Sequence, residues 1–307
     1  MSVSKLLEII DEKKNPTVVG LDPMLSYIPD EIIEKAVKEY GKTPEAAGEA
    51  IFEYNKAILD SVCDIVGCVK PQSAFYELYG FAGEKALART ASYAKSLGMY
   101  VILDAKRGDI GSTAAAYSAA YLGETDLFGS PVSENLYDAV TVNPYLGSDG
   151  VLPFVKDCIL HDKMIFVLVK TSNPSSGEFQ DVTVVSGDKS APLYTLVASK
   201  VNEWGAAAMG SASYSSVGAV VGATYPQQLG LLRAQMPQTL FLIPGYGAQG
   251  GKAGDIACAF DKEGRGAVVN SSRGIILAHK KAGGDPKKAW HDAAKAMKDD
   301  LLSHIGL

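Results

Sequence analysis

The run Asp104-Ala105-Lys106-Arg107-Gly108-Asp109 concentrates chemistry directly after the apolar segment Met99-Tyr100-Val101-Ile102-Leu103. Strand side chains alternate between faces, so Asp104 and Lys106 project to one side at the segment's carboxyl end, and Asp109 follows in the turn. Two unit charges about 4 Å apart interact by roughly 4 kcal/mol at an effective dielectric of about 20, which favours a cationic Lys106 between two carboxylates. Lys70 closes a second apolar run, Val66-Gly67-Cys68-Val69-Lys70-Pro71. It is expected to face the same place, where Asp104 neutralises it. Alternating ammonium and carboxylate groups, in the order Lys70, Asp104, Lys106 and Asp109, suit proton chemistry without a metal.

Such groups need elements that hold them together. Eight short apolar, β-branched runs recur between helical stretches: 17–22, 66–71, 100–104, 139–144, 164–171, 219–224, 240–244 and 266–271. Near-continuous apolar runs are what strands buried on both faces look like, and helical periods between them imply parallel βαβ units. The expected class is α/β, a closed (β/α)8 TIM barrel forming a single domain over residues 1–307. Nearly every run ends in polar residues, and in such barrels the strands' carboxyl ends carry the chemistry. Residues 29–50 read as extra N-terminal helices between strands one and two, and 177–192 as a hairpin or lid inserted after strand five. Residues 1–14 read as an amphipathic helix, not a signal peptide.

Composition narrows the function further. At 307 residues, 47% apolar and 21% charged, the chain can build a sizeable core. A net charge of -6, with lysines interleaved among acids, argues against a nucleic-acid binder. No run of 18 apolar residues spans a membrane, and a cytoplasmic location is expected. The cysteines, Cys63, Cys68, Cys158 and Cys258, form no CxxC pair and read as buried thiols. The histidines, His161, His279, His291 and His304, lack metal-site spacing and read as lone surface residues. No metal and no cofactor is expected.

Gly245-Tyr246-Gly247-Ala248-Gln249-Gly250 fits the dinucleotide pattern GxGxxG, but no acidic residue follows at the required offset, so the Rossmann reading fails. In a barrel, the loops after strands seven and eight commonly hold phosphate. Gly250 and Gly251 would offer N–H groups there, Gln249 an amide, and Arg273 a bidentate guanidinium.

The segment 103–113, Leu-Asp-Ala-Lys-Arg-Gly-Asp-Ile-Gly-Ser-Thr, resembles the signature of the orotidine 5′-phosphate decarboxylase family in its longer bacterial branch. The resemblance extends to Leu21-Asp22-Pro23, Val69-Lys70-Pro71, Thr171-Ser172-Asn173-Pro174, 244–251 and Asn270-Ser271-Ser272-Arg273, and so covers essentially the whole chain. It implies conversion of orotidine 5′-monophosphate to uridine 5′-monophosphate and CO2, with Lys106 as proton donor. It also implies that Asp22 binds a ribose hydroxyl and Ser172 the pyrimidine ring, although Asp22 could instead cap the turn at Pro23 and Ser172 start the Ser-Asn-Pro turn. By the same resemblance the chain forms a homodimer, with Asp109 and Thr113 acting across the interface. Lys170 stands where many relatives carry arginine, which keeps the charge but not a bidentate contact. A related group with the same Asp-x-Lys-x-x-Asp pattern, the hexulose-phosphate synthases and keto-gulonate-phosphate decarboxylases, uses Mg2+ on sugar phosphates lacking a base. A sensor that binds a pyrimidine nucleotide without turnover is the remaining alternative.

Overall fold

The computed structural model describes residues 2–186, 189–210, 213–247 and 250–306. Eight parallel strands close a barrel: β1 Thr17–Leu21, β2 Cys68–Pro71, β3 Tyr100–Arg107, β4 Ala139–Val142, β5 Met164–Lys170, β6 Ser215–Val221, β7 Thr239–Ile243 and β8 Ala267–Ser271. Each strand pairs with its neighbour in sequence, and β8 returns to β1 through Val18 opposite Asn270. The chain is thus an α/β protein of the (β/α)8 class.

Alternation decides which residues fill the barrel. Val18, Cys68, Ile102, Ala139, Phe166, Leu240, Leu242 and Val268 form an inner cluster, while their neighbours Val19, Val69, Leu103, Val140, Val167, Phe241 and Val269 belong to an outer cluster under the helices. This is the period of two expected of a strand buried on both faces. Helix α1, Ser2–Lys13, closes the barrel's amino-terminal end: Val3, Leu6, Leu7 and Ile10 are buried in the inner cluster. Each such side chain stabilises by about 1.5–3 kcal/mol on burial, so the plug is firmly seated.

The anticipated extra helices are α2, Asp30–Tyr40, and α3, Pro44–Val62. Thr43 caps α3 by accepting from the Ala46 N–H, and Pro44 follows at the first position, where a missing N–H is harmless. After β5 the insertion forms a short helical turn, Pro174–Glu178, and an antiparallel hairpin, Thr183–Ser186 with Lys189–Pro192. Four details differ from expectation. β6 begins at Ser215 and ends at Val221, because Ser215, Ser216 and Gly218 are small enough to lie buried in the wall despite their weak apolar signal. An exposed hairpin, Thr125–Leu127 with Ser130–Val132, lies between β3 and β4. His279 is no lone surface residue but packs against Tyr54 and Trp290, and Cys258 is exposed. Among the described residues no helix is long and apolar enough to cross a membrane.

Candidate active site

The inward face of several strands turns from apolar to polar at its carboxyl end. Two residues beyond the inward-facing Cys68, Ile102, Ala139 and Val268 come Lys70, Asp104, Thr141 and Asn270. These side chains line a cavity of about 510 Å3, within the usual range for a small-molecule site, above Leu168, Val220 and Leu242.

Asp104 is the hub. Its Oδ2 accepts from Lys70 Nζ at 2.6 Å, and its Oδ1 accepts from Lys106 Nζ at 2.6 Å and from Thr141 Oγ1 at 3.0 Å. Lys106 does not reach this place by plain alternation. The β3–β4 register jumps from Leu103 opposite Val140 to Arg107 opposite Val142, so residues 104–106 arch over Thr141 alone. Lys106 sits in the left-handed region at φ +47°, and its N–H, lifted from the ladder, donates to Thr141 Oγ1 at 2.9 Å. A non-glycine residue in that region is strained, and such strain clusters at functional sites.

Burial alone would raise the Asp104 pKa, but the ammonium groups of Lys70 and Lys106 outweigh it and hold the carboxyl well below the usual carboxylate range. For Lys70, burial would lower the pKa, and Asp104 with Asp22 reverses this and raises it. Both groups are therefore charged throughout the neutral range. Lys70 is almost wholly buried, whereas the Lys106 side chain is 45% exposed and open to the cavity. Two acceptor oxygens, the Asp22 carboxylate Oδ1 and the Asn270 amide Oδ1, are buried without a hydrogen-bond partner. An unsatisfied buried acceptor costs about 1–3 kcal/mol, so both favour a ligand that brings O–H or N–H donors.

Ser172 borders the same cavity, and Gly222 makes room for it: a Cβ there would stand 2.9 Å from the Ser172 backbone. Arg273 borders it from the start of the short helix Arg273–Ile276. The last helix, Pro286–Leu302, braces this region twice. Trp290 Nε1 and Tyr54 Oη donate to the Ile276 carbonyl at 3.0 and 2.6 Å, and Tyr246, another cavity residue, donates to Asp300 at 2.5 Å.

The remaining expectations fare differently. Gly250 N–H donates to the Gly247 carbonyl at 2.9 Å and Gly251 N–H to the Gly245 carbonyl at 3.1 Å, so these groups close their own turn instead of facing the cavity as phosphate donors. The glycines shape that turn, with Gly250 at φ +97° and Gly251 packed where a Cβ would lie 2.6 Å from that of Ala223. Gln249 lies outside the described residues. Asp109 is not brought to Lys70, Asp104 and Lys106 within the chain: its Oδ1 accepts from the Ile110 N–H at 2.8 Å, and neither it nor the exposed Thr113 borders the cavity. Lys170 is fully buried on Asp181 at 2.8 Å and Ser176 at 3.2 Å, which are point contacts that an ammonium suffices to make. Thr141 was not foreseen; a lone threonine on the inward face of an apolar strand was the available signal.

A closed parallel barrel with a lysine–aspartate–lysine cluster at its carboxyl-terminal mouth defines a (β/α)8-barrel enzyme, with its site where this architecture places chemistry. Residues 17–292 match the model of the Orotidine 5'-phosphate decarboxylase / HUMPS family, and the chain belongs to that family. It is 42% identical over 302 residues to the orotidine 5′-phosphate decarboxylase of Caldicellulosiruptor saccharolyticus, covering 98% of both chains. With that of Rhodopirellula baltica it shares 46% over 283 residues, 91% of this chain and 90% of the relative. Relatives carrying that name are carboxy-lyases. Among solved structures, Leishmania donovani OMP decarboxylase superposes with a TM-score of 0.72 at 30% identity, with 97% of each chain covered.

Proposed function

We propose that this single-domain chain, residues 1–307, is a cytoplasmic orotidine 5′-phosphate decarboxylase that forms uridine 5′-monophosphate and CO2 in pyrimidine synthesis, working without metal or cofactor. The observation that carries the reading is the Lys106 ammonium, held by Asp104 beside Lys70 and open to a ligand-sized cavity. Breaking the bond from C6 to the carboxylate leaves an electron pair on C6 that the ring delocalises poorly. Lys106 stabilises that charge and donates its proton to C6, becoming a neutral amine, while CO2 departs. Asp104 crowds the departing carboxylate, Lys70 orients Asp104, and Asp22 with Asn270 accepts from the ribose hydroxyls. Ser172 meets the ring, and Arg273 with Gln249 holds the phosphate, whose remote binding energy aligns the site. Gly250 and Gly251, next after Gln249 in sequence, are bonded to the Gly247 and Gly245 carbonyls.

Assembly as a homodimer would bring Asp109 and Thr113 to the partner's site. The reading accords with Asp109 and Thr113 lying outside this chain's own cavity. The test is incubation with orotidine 5′-monophosphate, followed by ultraviolet absorbance and CO2 release with and without EDTA. Equimolar product and CO2 at a rate indifferent to EDTA is expected. Absence of turnover overturns the decarboxylase reading, and loss of turnover with EDTA overturns the metal-independent mechanism.

A further inference from the structure

Gln180 borders the cavity from the inserted segment after β5, a part of the chain outside every strand end. It is pinned at four points. Its N–H donates to the Ser176 carbonyl at 2.9 Å, and its carbonyl accepts from the Tyr194 N–H at 3.0 Å. Its Oε1 accepts from the Thr171 N–H at 2.9 Å, and its Nε2 donates to Thr171 Oγ1 at 2.8 Å. Because a backbone N–H can only donate, the amide orientation is fixed: oxygen toward Thr171 N, nitrogen toward the hydroxyl. That hydroxyl in turn donates to Asn173 Oδ1 at 2.6 Å. The amide nitrogen carries a second hydrogen that Thr171 does not use, whereas the amide oxygen is turned toward the Thr171 N–H, so beside Ser172 and Asn173 the residue offers chiefly a donor.

The next residue, Asp181, is the partner of the buried Lys170 ammonium, which also lies 4.7 Å from the centre of the Tyr225 ring. Gln228 Nε2 donates to the same Asp181 oxygen at 3.3 Å. One buried charge at the end of β5 therefore clamps the inserted segment where Gln180 enters the cavity wall.

We propose that Gln180 is a specificity-determining residue that donates to a carbonyl oxygen of the pyrimidine ring, and that Lys170 with Asp181 is its positioning pair. The assignment rests on the nucleotide reading above and deepens it. A fixed donor favours a ring carbonyl over an exocyclic amino group, because the amino group would leave both partners without an acceptor.

The test compares dissociation constants of uridine 5′-monophosphate, cytidine 5′-monophosphate and ribose 5-phosphate, measured calorimetrically, in the parent protein and in Gln180→Ala, Gln180→Glu and Asp181→Asn. Loss of one buried hydrogen bond predicts that Gln180→Ala weakens the uridylate by about tenfold, with ribose 5-phosphate unchanged within about twofold. Gln180→Glu should narrow or invert the preference for uridylate over cytidylate. Asp181→Asn should reproduce the uridylate loss at about threefold, again sparing ribose 5-phosphate. Equal weakening of uridylate and ribose 5-phosphate, or no weakening of uridylate, overturns the role of Gln180. An unchanged ratio in Asp181→Asn overturns the positioning pair. A parent protein that binds these nucleotides but never turns over orotidylate refutes the decarboxylase reading while leaving the binding comparison intact.

Discussion

The two ends of the β3–β4 pair carry the same charge motif with opposite outcomes. At the carboxyl end, Asp104 is buried between Lys70 and Lys106. At the amino end, Asp138 is buried between Lys5 and Lys95, at 3.2 and 2.7 Å, and its second oxygen accepts from the Val101 N–H at 2.9 Å. A carboxylate flanked by two ammonium groups is thus no mark of a site. The lower cluster has a regular ladder around it, with Asp138 N–H donating to the Val101 carbonyl at 2.9 Å, and Lys5 on α1 ties the plug to it. The upper one has an open cavity, a left-handed lysine and acceptors left without donors. Those three departures from good local order separate the cluster proposed as catalytic from the structural one.

The sharpest way to test the contrast is Lys106→Ala, which should lower kcat at least about a thousandfold while uridylate binding stays measurable. Steady-state assays retaining a tenth of the parent rate would remove Lys106 from proton donation. Next in size is Thr141→Val, which keeps the shape but deletes the hydroxyl that receives the Lys106 N–H and donates to Asp104. A kcat loss of about tenfold with about 1 kcal/mol of stability is expected, since a part-buried N–H loses its acceptor and Asp104 loses a donor. An unchanged kcat would show that the arch holds itself. Smallest in its effect on rate is Asp138→Asn. It should lower stability by about 1–3 kcal/mol in urea titration and leave kcat unaltered. A matching fall in kcat would erase the distinction between the two ends.

Much of this was legible in the residues. Strands buried on both faces must be apolar throughout, which is why runs such as Leu240–Ile243 announced themselves, and Lys70, closing such a run with Asp104 beside it, ends at the mouth, whereas Lys170, closing another, is buried on Asp181 instead. The start of β6 was hidden because Ser215, Ser216 and Gly218 enter the wall by smallness and not by hydrophobicity. The arch at 104–106 was equally hidden: simple alternation gave the right destination for Lys106 by the wrong route, since no residue type in Asp-Ala-Lys demands a left-handed turn. Gln180 and the contacts of Trp290 and Asp300 escaped because they depend on loops and helices meeting across long stretches of chain. The turn glycines misled, since a glycine-rich loop offers N–H groups on paper and Gly250 and Gly251 use theirs to close the loop.

The arch has one last implication. On the β4 side, backbone pairing holds up to Leu103 and resumes at Arg107; across the three residues between, a single threonine takes its place, while on the other side the Asp104 carbonyl still accepts from the Ser73 N–H at 3.2 Å. Smoothing this irregularity into an ordinary ladder would relieve an awkward lysine and yield a sturdier barrel by every local measure. It would also swing the Lys106 nitrogen away from its carboxylate, so on the proposed mechanism the more regular molecule would be the inert one.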